Sequence, residues 1–296
     1  MKKFLSLFFV AVLAMSAQAQ FLSWIEVGDY YNPTEVYNGS YFDMAPTNFY
    51  LAHTGAQMIY TPDLLPGMEG KDGVKIKYLN FKFYNETFEE IVRNARVYLQ
   101  EIDATEFAVN EDGVKQFFPL GELVAEGHYD LELLESYGED QVLAMEMEAD
   151  FPFTLGKSLV VTIVFDAEDD DNCTMGSSYA PFYTSGIRGK AMTYTDNWVS
   201  FVDYAMGSSF PNATAMLGCG TNVDLPVTEI GYTYERLLGD VNGDGYVTIA
   251  DVTSLINYLL SSNPNNFYAV NADVNEDTRI NIGDVTSLIV MLLSAG

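Results

Sequence analysis

Between residues 74 and 83 apolar and polar side chains alternate and then change step. Val74, Ile76 and Tyr78 alternate with Lys75 and Lys77, whereas Leu79, Phe81 and Phe83 continue on the opposite parity. A period of two turns one face of a strand inward, and the one-residue slip predicts a β-bulge. Leu143, Met145, Met147 and Ala149 alternate with Ala144, Glu146 and Glu148, the pattern of a half-buried strand. Residues 159–165 read Leu-Val-Val-Thr-Ile-Val-Phe. A short run without a polar face predicts a central strand covered on both sides. Shorter strand patterns fall near 97–102, 190–195, 212–218 and 227–234. Turn signals stand at Pro66-Gly67, Lys71-Asp72-Gly73, Glu111-Asp112-Gly113 and Leu155-Gly156-Lys157. Many short strands and no sustained helical period over 20–237 predict a mainly β domain, an antiparallel β-sandwich.

After residue 238 the period changes. Val252, Leu255, Ile256 and Leu259 recur at i, i+3, i+4 and i+7, and so do Val285, Leu288, Ile289 and Leu292. This predicts two amphipathic helices with apolar stripes facing each other. An oxygen-rich segment of twelve residues precedes each helix, one starting at Asp240 and the other at Asp273, 33 residues later. A twelve-residue loop wraps a calcium ion with oxygens at positions 1, 3, 5, 7, 9 and 12. In the first copy these are Asp240, Asn242, Asp244, Tyr246 through its carbonyl, Thr248 and Asp251; in the second they are Asp273, Asn275, Asp277, Arg279 through its carbonyl, Asn281 and Asp284. Position 6 turns sharply. Gly245 suits it, but Thr278 is β-branched and strained at positive φ, so the second site is expected to be the weaker. Val247 and Ile280, apolar at position 8, are placed to pair and couple the loops. The competing reading is two acidic turns whose Asp residues only cap helix starts. A core this small is marginal alone, so the module is expected to be ordered with calcium and loose without it.

On these residues the chain resembles a type I dockerin from about Gly239 to Gly296. A duplicated calcium loop, each followed by one helix and lacking the preceding helix of a full EF-hand, is similar to that family. The resemblance implies two Ca²⁺ sites and docking to a cohesin-like module on a scaffold protein. It also implies that the rest of the chain is cargo for polysaccharide breakdown or carbohydrate binding. In the family, partner choice lies at loop positions 10 and 11, here Ile249-Ala250 and Ile282-Gly283. The Ser-Thr pair of the best-known members is absent, so the partner need not be a cohesin of that specificity. The similarity of the two copies implies docking in two orientations. Ile249 and Ile282 are alternatively buried helix-start residues. No proline- or threonine-rich linker precedes the module.

The first residues change the compartment. Met1-Lys2-Lys3 is followed by a nearly continuous apolar run to Met15 and then by Ala17-Gln18-Ala19. This reads as a signal peptide over 1–19, not a membrane span, and predicts a secreted, extracellular or cell-surface protein. No other apolar run is long enough to cross a bilayer. The chain has 14 basic and 42 acidic residues, a net charge of −28. That balance excludes non-specific binding of nucleic acid phosphates and favours solubility. Cys173 and Cys219 either pair or remain separate thiols.

Catalytic signatures are sparse. Neither Gly-x-Ser-x-Gly nor His-Glu-x-x-His occurs, and His53 and His128 are far apart. The run of strand, long loop, Pro152-Phe153, Gly156 and apolar strand is loosely similar to jelly-roll modules of secreted adhesins and carbohydrate-binding proteins. Some jelly-roll proteins are glycoside hydrolases, which need two carboxylates across a cleft. Glu146 and Glu148 are the candidates, and the competing reading is the solvent side of an amphipathic strand. The acidic run 166–171 is read as a solvated loop or a further calcium loop. Trp24, Trp198 and Tyr30-Tyr31 are either core aromatics or rings that stack on sugars. The expected protein is a non-catalytic attachment protein whose sandwich binds glycan or protein; the alternative is a secreted jelly-roll glycoside hydrolase.

Overall fold

The structure is a computed structural model and describes residues 20–33, 44–47, 52–69, 71–84, 86–87, 91–131, 140–167, 178–179, 182–196, 200–202, 218–244, 246–260 and 267–294. Two compact units emerge, Leu22–Tyr234 and a C-terminal unit beginning at Glu235.

The first unit is built from strands β1 (Gln20–Val27), β2 (His53–Tyr60), β3 (Asp72–Tyr84), β4 (Glu86–Thr87), β5 (Ile91–Ile102), β6 (Glu122–Leu131), β7 (Asp140–Pro152), β8 (Ser158–Asp166), β9 (Ser178–Tyr179), β10 (Thr184–Asp196), β11 (Gly218–Pro226) and β12 (Thr228–Glu235). A four-stranded sheet runs β1-β12-β3-β7, and a six-stranded sheet runs β11-β10-β2-β8-β5-β6. The chain alternates between them. With β10–β11 set aside as an addition at the β2 edge, the sheets have the interleaved strand order of a jelly roll. The unit is therefore mainly β and antiparallel, with jelly-roll order.

Strand β8 explains the layering. All nine of its residues are buried. On one face Val160 and Val164 join Ile59, Tyr98, Met192 and Tyr194 beneath Phe107, Phe117 and Phe201. On the other, Leu159, Val161, Ile163 and Phe165 are buried, as are Leu79, Phe81, Met145 and Ile230 of the four-stranded sheet. The Tyr60 hydroxyl, from β2, lies 2.9 Å from Thr228 Oγ1 on β12, a buried polar bond between the sheets. Gln57 is completely buried, and its amide bonds both the N–H and the C=O of Phe118 at 2.8 and 2.9 Å. One side chain thereby replaces a strand rung and fastens the β5–β6 connection over the sheet.

The slip on β3 is present, but its cause lies on the partner strand. Val74 and Ile76 are buried, then Leu79, Phe81 and Phe83. Pairing with β7 shifts between Ile76↔Phe151 and Tyr78↔Glu146, so four residues of β7, 147–150, stand against one of β3, Lys77. Ala149, expected inward, is exposed there. The turn at Pro66-Gly67 is a short 3₁₀ turn, and Asp72-Gly73 opens β3. Strands β1, β2 and β6 go beyond the sequence expectation. The strand expected near 212–218 lies outside the described residues except Gly218, as do Cys173, Trp198 and the side chains of Cys219 and His128.

Asp166 corrects the reading of 166–171 as solvated. It ends β8, is buried, and receives hydrogen bonds from Ser200 Oγ at 3.0 Å and from Arg96; His53 Nδ1 lies 2.8 Å away. Burial pushes its carboxyl up, but the bonds to His53, Ser200 and Arg96 outweigh that and hold it below its ordinary value. Residues 168–171 lie outside the described residues.

Candidate metal centre and docking face

In the C-terminal unit, helix α1 (Ile249–Leu259) follows the first loop, a single helical turn, α2 (Ala269–Ala272), leads into the second, and helix α3 (Ile282–Ser294) follows it. Val241, Val252, Leu255, Ala272, Val274, Val285 and Leu288 form the small core, with Val247 and Ile280 packed at its margin. The expected stripes are narrower than the period suggested. Ile256 and Ile289 are exposed at the rim, because only the i, i+3, i+7 rows face the partner helix.

The two loops are built alike from the side chains inward. Asp240 Oδ1 accepts the backbone N–H groups of Gly243 and Asp244 at 2.9 and 3.1 Å. Asn242 Oδ1 accepts from Asp244, and Asp244 Oδ1 accepts from Tyr246. In the second loop Asp273 accepts from Asp277 and Thr278, Asn275 from Asp277, and Asp277 from Arg279. Each loop is closed by its last acid. Asp251 Oδ1 accepts the N–H groups of Val241 and Asn242, and Asp284 Oδ1 those of Val274 and Asn275. Their second oxygens accept from Thr248 and Asn281, the residues that cap the helices.

Capping alone does not account for this geometry. A helix cap reaches two or three residues, whereas Asp251 and Asp284 also reach back across nine and ten. Asp240, Asp251 and Asp284 are fully buried. A buried carboxylate is costly unless paired or metal-bound, so three of them in one small unit suit a cation. Among the described residues, no three His, Cys, Asp or Glu side chains form a metal cluster by themselves. The loops instead mix carboxylates with amide, hydroxyl and carbonyl oxygens, the hard donor set that calcium takes. The side chains of Tyr246 and Arg279 are exposed, leaving their carbonyls as the atoms a bound ion would use.

Backbone conformation separates the loops. Gly243, at position 4, has φ +70°, and a Cβ there would lie 2.0 Å from the Tyr268 ring. In the second loop the same position is Glu276 at φ +58°, and Thr278 stands at φ +70°. The sequence reading identified position 6 but missed position 4.

It also missed a reciprocal brace. Asn271, just before the second loop, donates to the Asp240 carbonyl of the first at 2.8 Å. Arg236, just before the first loop, donates to the Asp273 carbonyl of the second at 2.6 Å, and its other nitrogen lies 3.2 Å from Glu276. The available signals were a lone arginine in an acidic segment and an asparagine where the first repeat has Leu238.

The outer surface of the helices carries a second duplication. Ile249, Thr253, Ile256 and Leu260 line one stripe; Ile282, Thr286, Ile289 and Leu293 line its counterpart. Ile249 and Ile282 are each 70 % exposed, and Leu260 and Leu293 are 71 and 78 % exposed. This corrects the reading of the two isoleucines as buried helix starts. Thr253 and Thr286 bond the carbonyls of Ile249 and Ile282, each at 3.1 Å.

Glu146 and Glu148 lie together on the outer face of β7, an edge strand, both exposed. Glu146 Oε1 accepts from the Tyr78 hydroxyl at 3.2 Å. Neither lines the depression of about 270 Å³ formed by residues 71–75 and 152–155.

Residues 238–293 match the family model of the dockerin type I domain. The match implies calcium binding and docking to a cohesin partner, and dockerin-bearing proteins are typically extracellular or attached to the cell surface. A search of curated proteins finds no match to the chain. Among the described residues no helix is long and apolar enough to cross a membrane.

Proposed function

We propose that the chain is a secreted, non-catalytic attachment protein. Its sandwich, 20–237, is the ligand-binding head, and its module, 238–296, is a calcium-dependent plug for a cohesin-type receptor. Residues 1–19 direct export and are removed. The observation that carries this reading is the pair of exposed apolar stripes, each starting at the end of a loop closed by a buried aspartate. Calcium supplies a divalent charge that draws oxygen donors into one shell. In the first loop the donors are Asp240, Asn242, Asp244, the Tyr246 carbonyl, Thr248 and Asp251; in the second they are Asp273, Asn275, Asp277, the Arg279 carbonyl, Asn281 and Asp284. Thr248 and Asp251 also cap α1, so ordering the loop fixes the helix start and with it Ile249. The same logic joins Asn281 and Asp284 to Ile282. Because the stripes are duplicates, the receptor engages either one, and the plug docks in two orientations.

The position of Glu146 and Glu148 supports a binding role for the sandwich. They lie side by side on an open sheet face, whereas glycoside hydrolysis needs carboxylates facing across the scissile bond. The test is surface binding of the full chain to a panel of cohesin modules with calcium and with chelator. Saturable binding that chelator abolishes supports the reading; binding indifferent to chelator, or none across the panel, refutes it. A polysaccharide hydrolysis assay with Glu146→Gln and Glu148→Gln addresses the head: turnover lost on substitution would make it an enzyme.

A further inference from the structure

We propose that the open face of the β1-β12-β3-β7 sheet is a binding site for a neutral glycan chain, centred on Trp24 and Tyr78. The inference rests on the reading of the sandwich as the ligand-binding head and names its surface. Outward positions place Trp24 on β1, Gly231 on β12, Tyr78 on β3 and Glu146 on β7. Four strands at about 4.8 Å spacing make this band roughly 14 Å wide, room for more than one sugar ring.

Trp24 is 41 % exposed although it is among the largest apolar side chains in the unit. Its ring stacks on Tyr78 with centroids 5.4 Å apart and planes at 27°. A Cβ at Gly231 would lie 2.6 Å from the indole, so the absence of a side chain there lets the ring settle against the strand. The result is a supported aromatic surface open to solvent rather than an aromatic folded into the core. Around it the polar groups are already oriented. Tyr78 donates to Glu146, and Asn80 Nδ2 donates to Glu229 Oε2 at 2.9 Å.

Charge selects the ligand class. The chain is strongly acidic, yet on this face Lys75 and Lys77 pair with Asp150 and Lys82 with Asp140. Acids still outnumber lysines there, with Glu146, Glu148 and Glu229 at outward positions of the same face, so the local field disfavours an anionic chain. A pyranose ring offers an apolar C–H face to the aromatics and a rim of hydroxyls that exchange hydrogen bonds with carboxylate and amide groups. A neutral saccharide matches both features.

The experiment titrates the full chain with hexasaccharides of β-1,4-linked glucose, mannose and xylose, and with oligolysine. Calorimetry and tryptophan fluorescence are the readouts. Saturable binding of at least one hexasaccharide is expected, weakened about tenfold or more by Trp24→Ala and less by Tyr78→Phe. Trp24→Phe keeps the ring packed on Gly231 and is expected to retain partial binding, which separates loss of stacking from loss of fold. Chelator leaves the affinity unchanged, so a failure of calcium-dependent docking does not bear on this site. Three results would overturn the proposal: no hexasaccharide binds, binding survives Trp24→Ala in a natively folded variant, or oligolysine competes for the surface.

Discussion

Replacing Thr278 by glycine is expected to tighten the second calcium loop. Thr278 holds φ +70° with a β-branched side chain, a conformation that costs an L-residue about 1–2 kcal/mol. Glycine adopts it freely, but its larger unfolded-state entropy takes back about 0.5–1 kcal/mol. The side chain is exposed, and what the residue contributes to the loop is its N–H to Asp273 Oδ2 at 2.9 Å, which glycine keeps. The net gain is about 1 kcal/mol. Where the ion orders the loop, that gain appears as about fivefold higher affinity at the second site. Calcium calorimetry on the full chain, fitted to two sites, reads it out. The control runs the other way: Gly243→Ala adds a Cβ at φ +70° directly against the Tyr268 ring and should weaken the first site by more than tenfold. An unchanged or lowered second-site affinity in Thr278→Gly would refute the view that backbone strain sets the difference between the loops.

Other substitutions probe the remaining parts. Ile249→Asp or Ile282→Asp alone should leave stability within about 0.5 kcal/mol, since both side chains are largely in solvent, and should leave receptor binding through the intact stripe. The double variant should lose receptor binding while keeping its calcium affinity, measured by surface binding and calorimetry in parallel. Asp166→Asn should destabilise the sandwich by about 2–4 kcal/mol at neutral pH, read by denaturant unfolding, because Arg96 and Ser200 lose a buried carboxylate. The pH dependence has a definite sign. The folded carboxyl sits below its ordinary value, so its contribution is present above the unfolded pKa of about 3.9 and fades as pH falls through the lower folded value. The wild type should therefore lose stability relative to Asp166→Asn below about pH 4, and parallel acid-unfolding curves for the two would contradict this.

What the sequence displayed and what it concealed follow from the range of the interactions. The two loops were legible as a repeat because their oxygen-bearing side chains sit at fixed short offsets, and β8 was legible because a strand covered on both faces has no polar side. The sandwich order was legible only as a class, since strand pairing such as β1 beside β12 joins residues more than two hundred positions apart. Strand β2 was missed because Thr54, Gln57 and Gly55 interrupt its apolar pattern; Gln57 is buried only because it finds Phe118, 61 residues away. The helix stripes were overestimated because a periodic pattern does not show how narrow the partner is. Ile256 and Ile289 satisfy the period and still lie outside the contact. Trp24 was ambiguous for a similar reason: its place on an open face depends on Gly231, far away in the chain.

The most direct test of the account is a calcium titration of the full, metal-free chain by calorimetry, compared with Asp251→Asn/Asp284→Asn. Two binding events in the wild type, both lost in the double variant, are the predicted result. Absence of heat at millimolar calcium, or equal heat in the variant, would contradict the claim that these two buried aspartates close metal loops.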